Sequence, residues 1–221
     1  MSASNPIGNA EFQKLLTDGI IAELAVMDTM NNYIDPSYLD IQSMAWDTTD
    51  EVEDGAPYDL LGVRWDMSPE GILENEVVFT TEVKQANNGG QYTDWNTGKM
   101  TFFAECIQTG TNGYPEYLVH PPTLMAYYNK PGHFIYFYDG LKFAEAVKDR
   151  FHTRFTIARG TAEGIKFDCE SKDFGFIEKH HCPERVADLQ KKYAMRIAER
   201  LDTPKKNVKV HKQCTGLEDL V

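Results

Sequence analysis

PYDLLGVRWDMSPEGILENEVVFTTEVK, residues 57–84, is the stretch on which the fold turns. Asp59 to Trp65 and Glu76 to Lys84 are rich in Val, Leu, Phe and Thr, with the turn-forming run MSPEG between them. That is the signature of a β-hairpin. Residues two apart in a strand share a face, so Glu82 and Lys84 project together from the end of an apolar run. A loop over 67–74 centres on 70.5, and residues paired across the hairpin then sum to 141, as Asp59 and Glu82 do. Opposed residues share a face with Cβ atoms about 5 Å apart, which would bring two carboxylates and an ammonium to one point.

Carboxylates that close repel unless a cation sits between them, and Mg²⁺ takes one or two carboxylates while keeping waters and phosphate oxygens as its other ligands. Such a site suits phosphodiester hydrolysis: the metal activates a bound water, and Lys84 orients it or meets the developing charge. The plain alternative is a solvated hairpin end with an ordinary Glu/Lys pair. The coincidence with Asp59 and the apolar neighbours favours the site.

Outward from the hairpin the chain divides by charge. It has 221 residues, 42% hydrophobic against 25% charged, and a formal net charge of -12. Residues 1–82 hold 17 acids and two bases, Lys14 and Arg64; the remainder holds 17 acids, 20 bases and all six histidines. The composition is too apolar for disorder and the length suits one ordinary domain. The net charge argues against a polyanion-binding surface, but the division relaxes that argument. An acid-rich first third can hold a hard cation, and the rest can meet phosphate. No window approaches the roughly 18 to 20 apolar residues of a membrane span, and the start MSASNPIGNAEFQ has no basic apolar leader. Four cysteines are too sparse for a disulfide scaffold. The expectation is a soluble cytoplasmic protein, in the host cytoplasm if viral, with no membrane partner.

Asn9 to Met30 reads as an amphipathic helix with Phe12, Leu16, Ile20 and Met27 on one arc and Glu23 inside it. After the loop NNGGQYTDWNTG a third strand is expected at Lys99 to Ile107, then an ambiguous segment, a strand at His133 to Tyr138 and a helix from Leu141 to Phe151. A last helix spans Pro183 to Leu201, with Val186, Leu189, Tyr193 and Ile197 as its stripe, and a basic tail follows. The order predicts an α/β fold, a mixed sheet with helices packed on it. The core is expected over residues 1–160, with 161–221 as a basic extension that can belong to the same domain.

Asp59 after a proline, then Glu82-Val83-Lys84 at the end of the next strand, behind a glutamate-bearing helix, resembles the PD-(D/E)XK nuclease superfamily. The resemblance covers roughly Asn9 to Tyr138, and the sequence departs from the pattern by inserting Tyr58 between Pro57 and Asp59. TGKMTFFAEC also resembles the strand after E-x-K in some phage-type members, where a glutamate ends the segment. The resemblance implies a restriction-endonuclease-like mixed β-sheet flanked by helices, with a helical basic C-terminal extension. It further implies Asp59 and Glu82 as ligands of Mg²⁺ or Mn²⁺, the Val83 carbonyl as a third, and Lys84 as the catalytic lysine.

Two more acids are candidates. Glu23 within an apolar stripe needs a partner, a metal site or Lys84, unless its helix edge is less buried than the wheel implies. Glu105 would oppose Thr80 if the intervening loop is centred near residue 92.5, which would bring it to the face of Glu82. For nucleic acid, Tyr92 and Trp95 can stack on bases and Lys99 closes their loop, although such loops more often pack on their own domain. Arg185, Lys192 and Arg196 lie along one flank of the last helix and can meet phosphate, or form a solvated face. Cys169, Cys182, His211 and Cys214 offer zinc-type ligands, but their spacing fits no standard finger and buried thiols are the preferred reading. The expected activity is metal-dependent DNA hydrolysis, endonucleolytic, and cutting both strands at once commonly implies two sites and a symmetric dimer. The rival is a catalytically inert nucleic-acid- or protein-binding module on the same fold.

Overall fold

The computed structural model describes residues 9–34, 39–43, 58–86, 93–94, 99–108, 115–130, 132–150, 155–156, 162–168 and 172–202. Helix α1 spans Asn9–Tyr33, followed by strands β1 (Asp40–Ser43), β2 (Leu60–Met67) and β3 (Leu73–Ala86). Next come β4 (Thr93–Asp94), β5 (Lys99–Gln108), the single turn α2 (Glu116–Val119), β6 (Leu124–Asn129), β7 (Phe134–Asp139) and α3 (Gly140–Asp149). β8 (Phe155–Thr156), β9 (Ala162–Asp168), β10 (Phe176–His181), α4 (Val186–Lys192) and α5 (Ala194–Asp202) complete the order. The main sheet is six-stranded, β1-β2-β3-β6-β7-β10, mixed, with β3 and β6 parallel and every other pair antiparallel. Helices cover both of its faces, so the chain has the α/β architecture expected.

The hairpin forms as its sequence dictates. The turn is tighter than expected, over residues 68–72, where Ser68 and Ile72 close on each other and Gly71 takes φ +79. That alone would pair residues summing to 140, as Val63 does with Val77. A β-bulge between Gly62 and Val63, with Val78 as its extra residue, adds one, so Leu60 pairs with Thr81. The expected sum of 141 is therefore reached at the sheet end of the hairpin by a different route. Gly62 is required there because the Phe79 ring occupies the space a Cβ would fill.

β3 changes partners along its length. β2 flanks it up to Thr81, and β6 runs beside it from Thr81 to Ala86. A parallel neighbour needs a long crossover, and residues 87–123 supply it. At the changeover Thr80 and Thr123 exchange backbone-to-hydroxyl hydrogen bonds of 3.2 and 3.0 Å. The third strand thus exists close to its expected bounds but does not extend the hairpin. β5 lies in a second sheet, β4-β5-β9-β8, and Glu105 pairs with Gly164 of β9 rather than with Thr80. Thr80 is instead paired with Leu61 of β2 and bonded to Thr123.

Two cores sandwich the main sheet. On one face α1 lays Ile20, Leu24 and Met27 on Leu60, Val83, Ala126, Tyr128, Ile135 and Phe137, and Leu189 of α4 and Ile197 of α5 join them. On the other, α2 and α3 pack Tyr117, Leu118, Phe143 and Val147 on Met125, Tyr127, Tyr136 and Tyr138. The boundary expected near residue 160 is crossed twice, by β9 on β5 and by β10 on β7. The last helix is broken at Tyr193 into α4 and α5, yet the expected stripe of Val186, Leu189, Tyr193 and Ile197 faces the core. No helix among the described residues is long and apolar enough to cross a membrane.

Helix α3 starts in a tight place. Asp139 caps it by accepting from Lys142 N–H at 2.9 Å, and a Cβ on Gly140 would overlap the Pro122 carbonyl oxygen. Gly140→Ala should therefore destabilise the chain by about 1–3 kcal/mol in urea unfolding. Gly19→Ala, in α1 with nothing within 4 Å of the added Cβ, should stabilise it by about 0.5–1 kcal/mol.

Candidate metal-binding and catalytic site

Asp59 sits immediately ahead of β2 and straddles Glu82. Its backbone N–H donates to the Thr81 carbonyl at 3.1 Å, and its Oδ2 accepts from the Val83 N–H at 2.7 Å. The carboxylate replaces a strand that has not yet begun, because β3 runs on past the start of β2 and the Val83 amide needs an acceptor. In an extended chain the N–H and C=O of one residue point to the same edge, so the Val83 carbonyl is directed to the edge that Asp59 occupies. Glu82 and Lys84 alternate with Thr81 and Val83 and therefore share the opposite face of β3, the face of α2 and α3. The Lys84 ammonium is ion-paired with the Glu82 carboxylate and lies 5.6 Å from the centroid of the buried Tyr117 ring. Asp59 and Lys84 are half-buried, and the Glu82 side chain is only 13% exposed.

Asp59, bonded to the Val83 amide, and Glu82, ion-paired with Lys84, thus occupy neighbouring positions where β2 starts and β3 continues. Their donors are all oxygen, which suits a hard cation such as Mg²⁺ or Mn²⁺ rather than zinc. Among the described residues no three His, Cys, Asp or Glu side chains converge as a metal-holding group. A set of two side chains and one backbone carbonyl is the fit that this edge offers.

The remaining candidates fall elsewhere. Glu23 is buried in α1, on the Val83 face of β3, and so on the other side of the strand from Glu82 and Lys84. Glu105 belongs to the second sheet. Arg185, Lys192 and Arg196 belong to the helical pair packed beneath α1, again on the face away from Glu82. Lys192 donates to Asp28 Oδ2 at 3.0 Å and approaches Glu184 at 3.5 Å; Tyr193 Oη donates to Asp28 Oδ1 at 2.6 Å. Burial opposes the charge on Lys192, but the bonds to Asp28 and Tyr193 outweigh it and raise its pKa above the ordinary value. Arg196 lies over the Tyr193 ring at 5.7 Å, and Arg185 is exposed at the start of α4. Among the described residues, bases on the site's side of the sheet include Lys142 and Lys148 of α3, Arg150 at its C-terminal end and Lys179 of β10, which sequence reading passed over. Only the pairing of β10 with β7, which sets Lys179 opposite Tyr136, reveals the last of these.

Cys182 is buried in the α1-side core, where burial pushes its thiol pKa up and its Sγ donates to the Glu184 carbonyl at 3.3 Å. This is the behaviour of a packed thiol. Cys169, His211 and Cys214, and the loop residues Tyr92 and Trp95, lie outside the described residues; Lys99 is placed only as a strand position opposite Asp94.

No protein-family model and no curated protein matches the chain. Among solved structures it is similar to a bacterial homing endonuclease, at 16% identity and a TM-score of 0.37, over 86% of this chain and 99% of that one. A likeness at that level says nothing of function.

The Asp28 cluster is a stability element with a simple test. Tyr193→Phe should cost about 1–2 kcal/mol in urea unfolding, because Asp28 loses a short hydroxyl bond. Lys192→Gln should likewise lower the urea midpoint, as expected for a lysine engaged by Asp28.

Proposed function

We propose that the chain is a metal-dependent nuclease that hydrolyses DNA phosphodiester bonds, acting as an endonuclease. The observation that carries this reading is the Asp59 carboxylate held on the Val83 amide beside the Glu82–Lys84 pair. The resemblance of P-Y-D…E-V-K to the PD-(D/E)XK superfamily supports the same assignment of roles.

Asp59, Glu82 and the Val83 carbonyl would hold Mg²⁺ or Mn²⁺. With Oδ2 engaged by Val83, Oδ1 is the Asp59 oxygen that would reach the ion. The ion would lower the pKa of a bound water and offset charge gathering on the phosphoryl oxygens. Lys84 has two tasks in this scheme. Before substrate arrives, its ammonium neutralises Glu82 and keeps the two acids from repelling each other across the strand. With substrate present, it orients the attacking water or donates to the developing negative charge, and the Tyr117 ring helps fix its direction. Lys142, Lys148 and Lys179, on this side of the sheet, would be the bases that meet DNA phosphates.

Purified protein should nick or linearise plasmid with Mg²⁺ or Mn²⁺ and not with EDTA. Lys84→Ala should lower that rate on the order of a hundredfold or more, with the far-UV circular dichroism unchanged. Cleavage by Lys84→Ala at the wild-type rate, or no metal-dependent cleavage of any DNA by the wild type, would refute the reading.

A further inference from the structure

The hairpin that carries Asp59 and Glu82 continues well beyond the sheet. β1 pairs with β2 only along Leu60–Val63, and β6 with β3 only along Thr81–Ala86. Among the described residues, residues 64–76 therefore form a two-stranded ribbon paired only with itself. Its register sorts the side chains cleanly. Val63 and Val77, Trp65 and Asn75, and Met67 and Leu73 are opposed on one face; Arg64 and Glu76, and Asp66 and Glu74, are opposed on the other.

The first face is apolar and open to solvent. Trp65 is 43% exposed, Met67 66%, Leu73 59% and Val77 49%, and Ile72 at the turn is 61% exposed. The second face is charged and satisfied within itself: Arg64 Nε donates to Asp66 at 3.0 Å, and the guanidinium also pairs with Glu76. An isolated two-stranded ribbon is marginal in water, and an apolar patch of this extent calls for a partner.

Charge selects among the partners. The ribbon sets one base, Arg64, against Asp66, Glu70, Glu74 and Glu76. A nucleic acid would be repelled by it. A second copy fits instead, because an isologous contact demands a self-complementary patch and an apolar face on its own two-fold mate is one. The charged faces would then point outward into water. The open apolar side chains present on the order of 600 Å² per copy, so a pair would bury on the order of 1,200 Å², which reaches the size of a specific interface.

We propose that the chain forms a two-fold dimer through the apolar face of the ribbon, with Trp65, Met67, Leu73 and Val77 of each copy packed against those of the other. Alternation along the strands makes this face continuous with the one that bears Leu61, Thr80, Glu82 and Lys84. Each copy's candidate site thus lies on the side of the hairpin that turns towards the partner. The dimer itself does not depend on the activity proposed above, and its test reads mass rather than cleavage.

Sedimentation of the full chain at micromolar concentration should give the mass of two 25.1 kDa chains. Met67→Lys and Leu73→Lys, made separately at exposed positions outside both cores, should each weaken association at least about a hundredfold with unchanged circular dichroism. Glu74→Gln, on the charged face, should leave the dimer intact. A wild type that keeps the single-chain mass at every concentration overturns the proposal, as does a dimer that survives both lysine variants. If Met67→Lys loses DNA retention while the mass is unchanged, the face serves nucleic acid and the dimer is wrong.

Discussion

The Val83 amide sets the terms for the rest of the molecule. β3 is longer than the strand that precedes it, so its amide edge outruns β2 and a buried N–H would be left without an acceptor. Leaving it unpaired would cost roughly 1–3 kcal/mol. Asp59 supplies the acceptor from its side chain at 2.7 Å while its own N–H goes to Thr81. A carboxylate is thereby fixed at the edge of the sheet, one residue on either side of Glu82, by a backbone requirement and not by a binding function. On the opposite edge of β3, the Thr80–Thr123 pair marks where the parallel neighbour β6 begins.

The two faces of the sheet then divide the work. The α1 side holds the larger continuous core and a set of polar contacts at its margin, Asp28 with Lys192 and Tyr193, that clamp α4 and α5 onto α1. The α2 and α3 side is built from tyrosines and phenylalanines, and its margin carries Glu82 and Lys84. Charge that serves stability and the charge of the proposed site are thus on opposite sides of one strand. The C-terminal helices, whose bases look suited to phosphate in one dimension, fall on the stability side.

How far these features are legible in the sequence follows from how local their causes are. The hairpin is readable because Val, Phe and Thr alternate about a Ser-Pro-Glu-Gly turn, and the helices because Ile20, Leu24 and Met27, or Leu189 and Ile197, recur at helical spacing. The register at Asp59 is readable only in its outcome: a shorter loop and an unforeseen bulge at Gly62 offset each other. β6 is hidden because Met125 to Asn129 are buried on both faces and show no alternation. The placing of β5 in a second sheet, which removes Glu105 from the face of Glu82, is a long-range choice of partner that no periodicity encodes. So is the face on which Arg185, Lys192 and Arg196 end up.

In the function proposed above, the edge where β2 starts and β3 continues holds a divalent cation through Asp59, Glu82 and the Val83 carbonyl. Titration of the protein with Mn²⁺, followed by the paramagnetic signal of the free ion, tests it most directly. One ion should bind per chain in the wild type, and both Asp59→Asn and Glu82→Gln should abolish that binding while Glu23→Gln leaves it unchanged. Equal Mn²⁺ uptake by the wild type and Asp59→Asn would contradict the account.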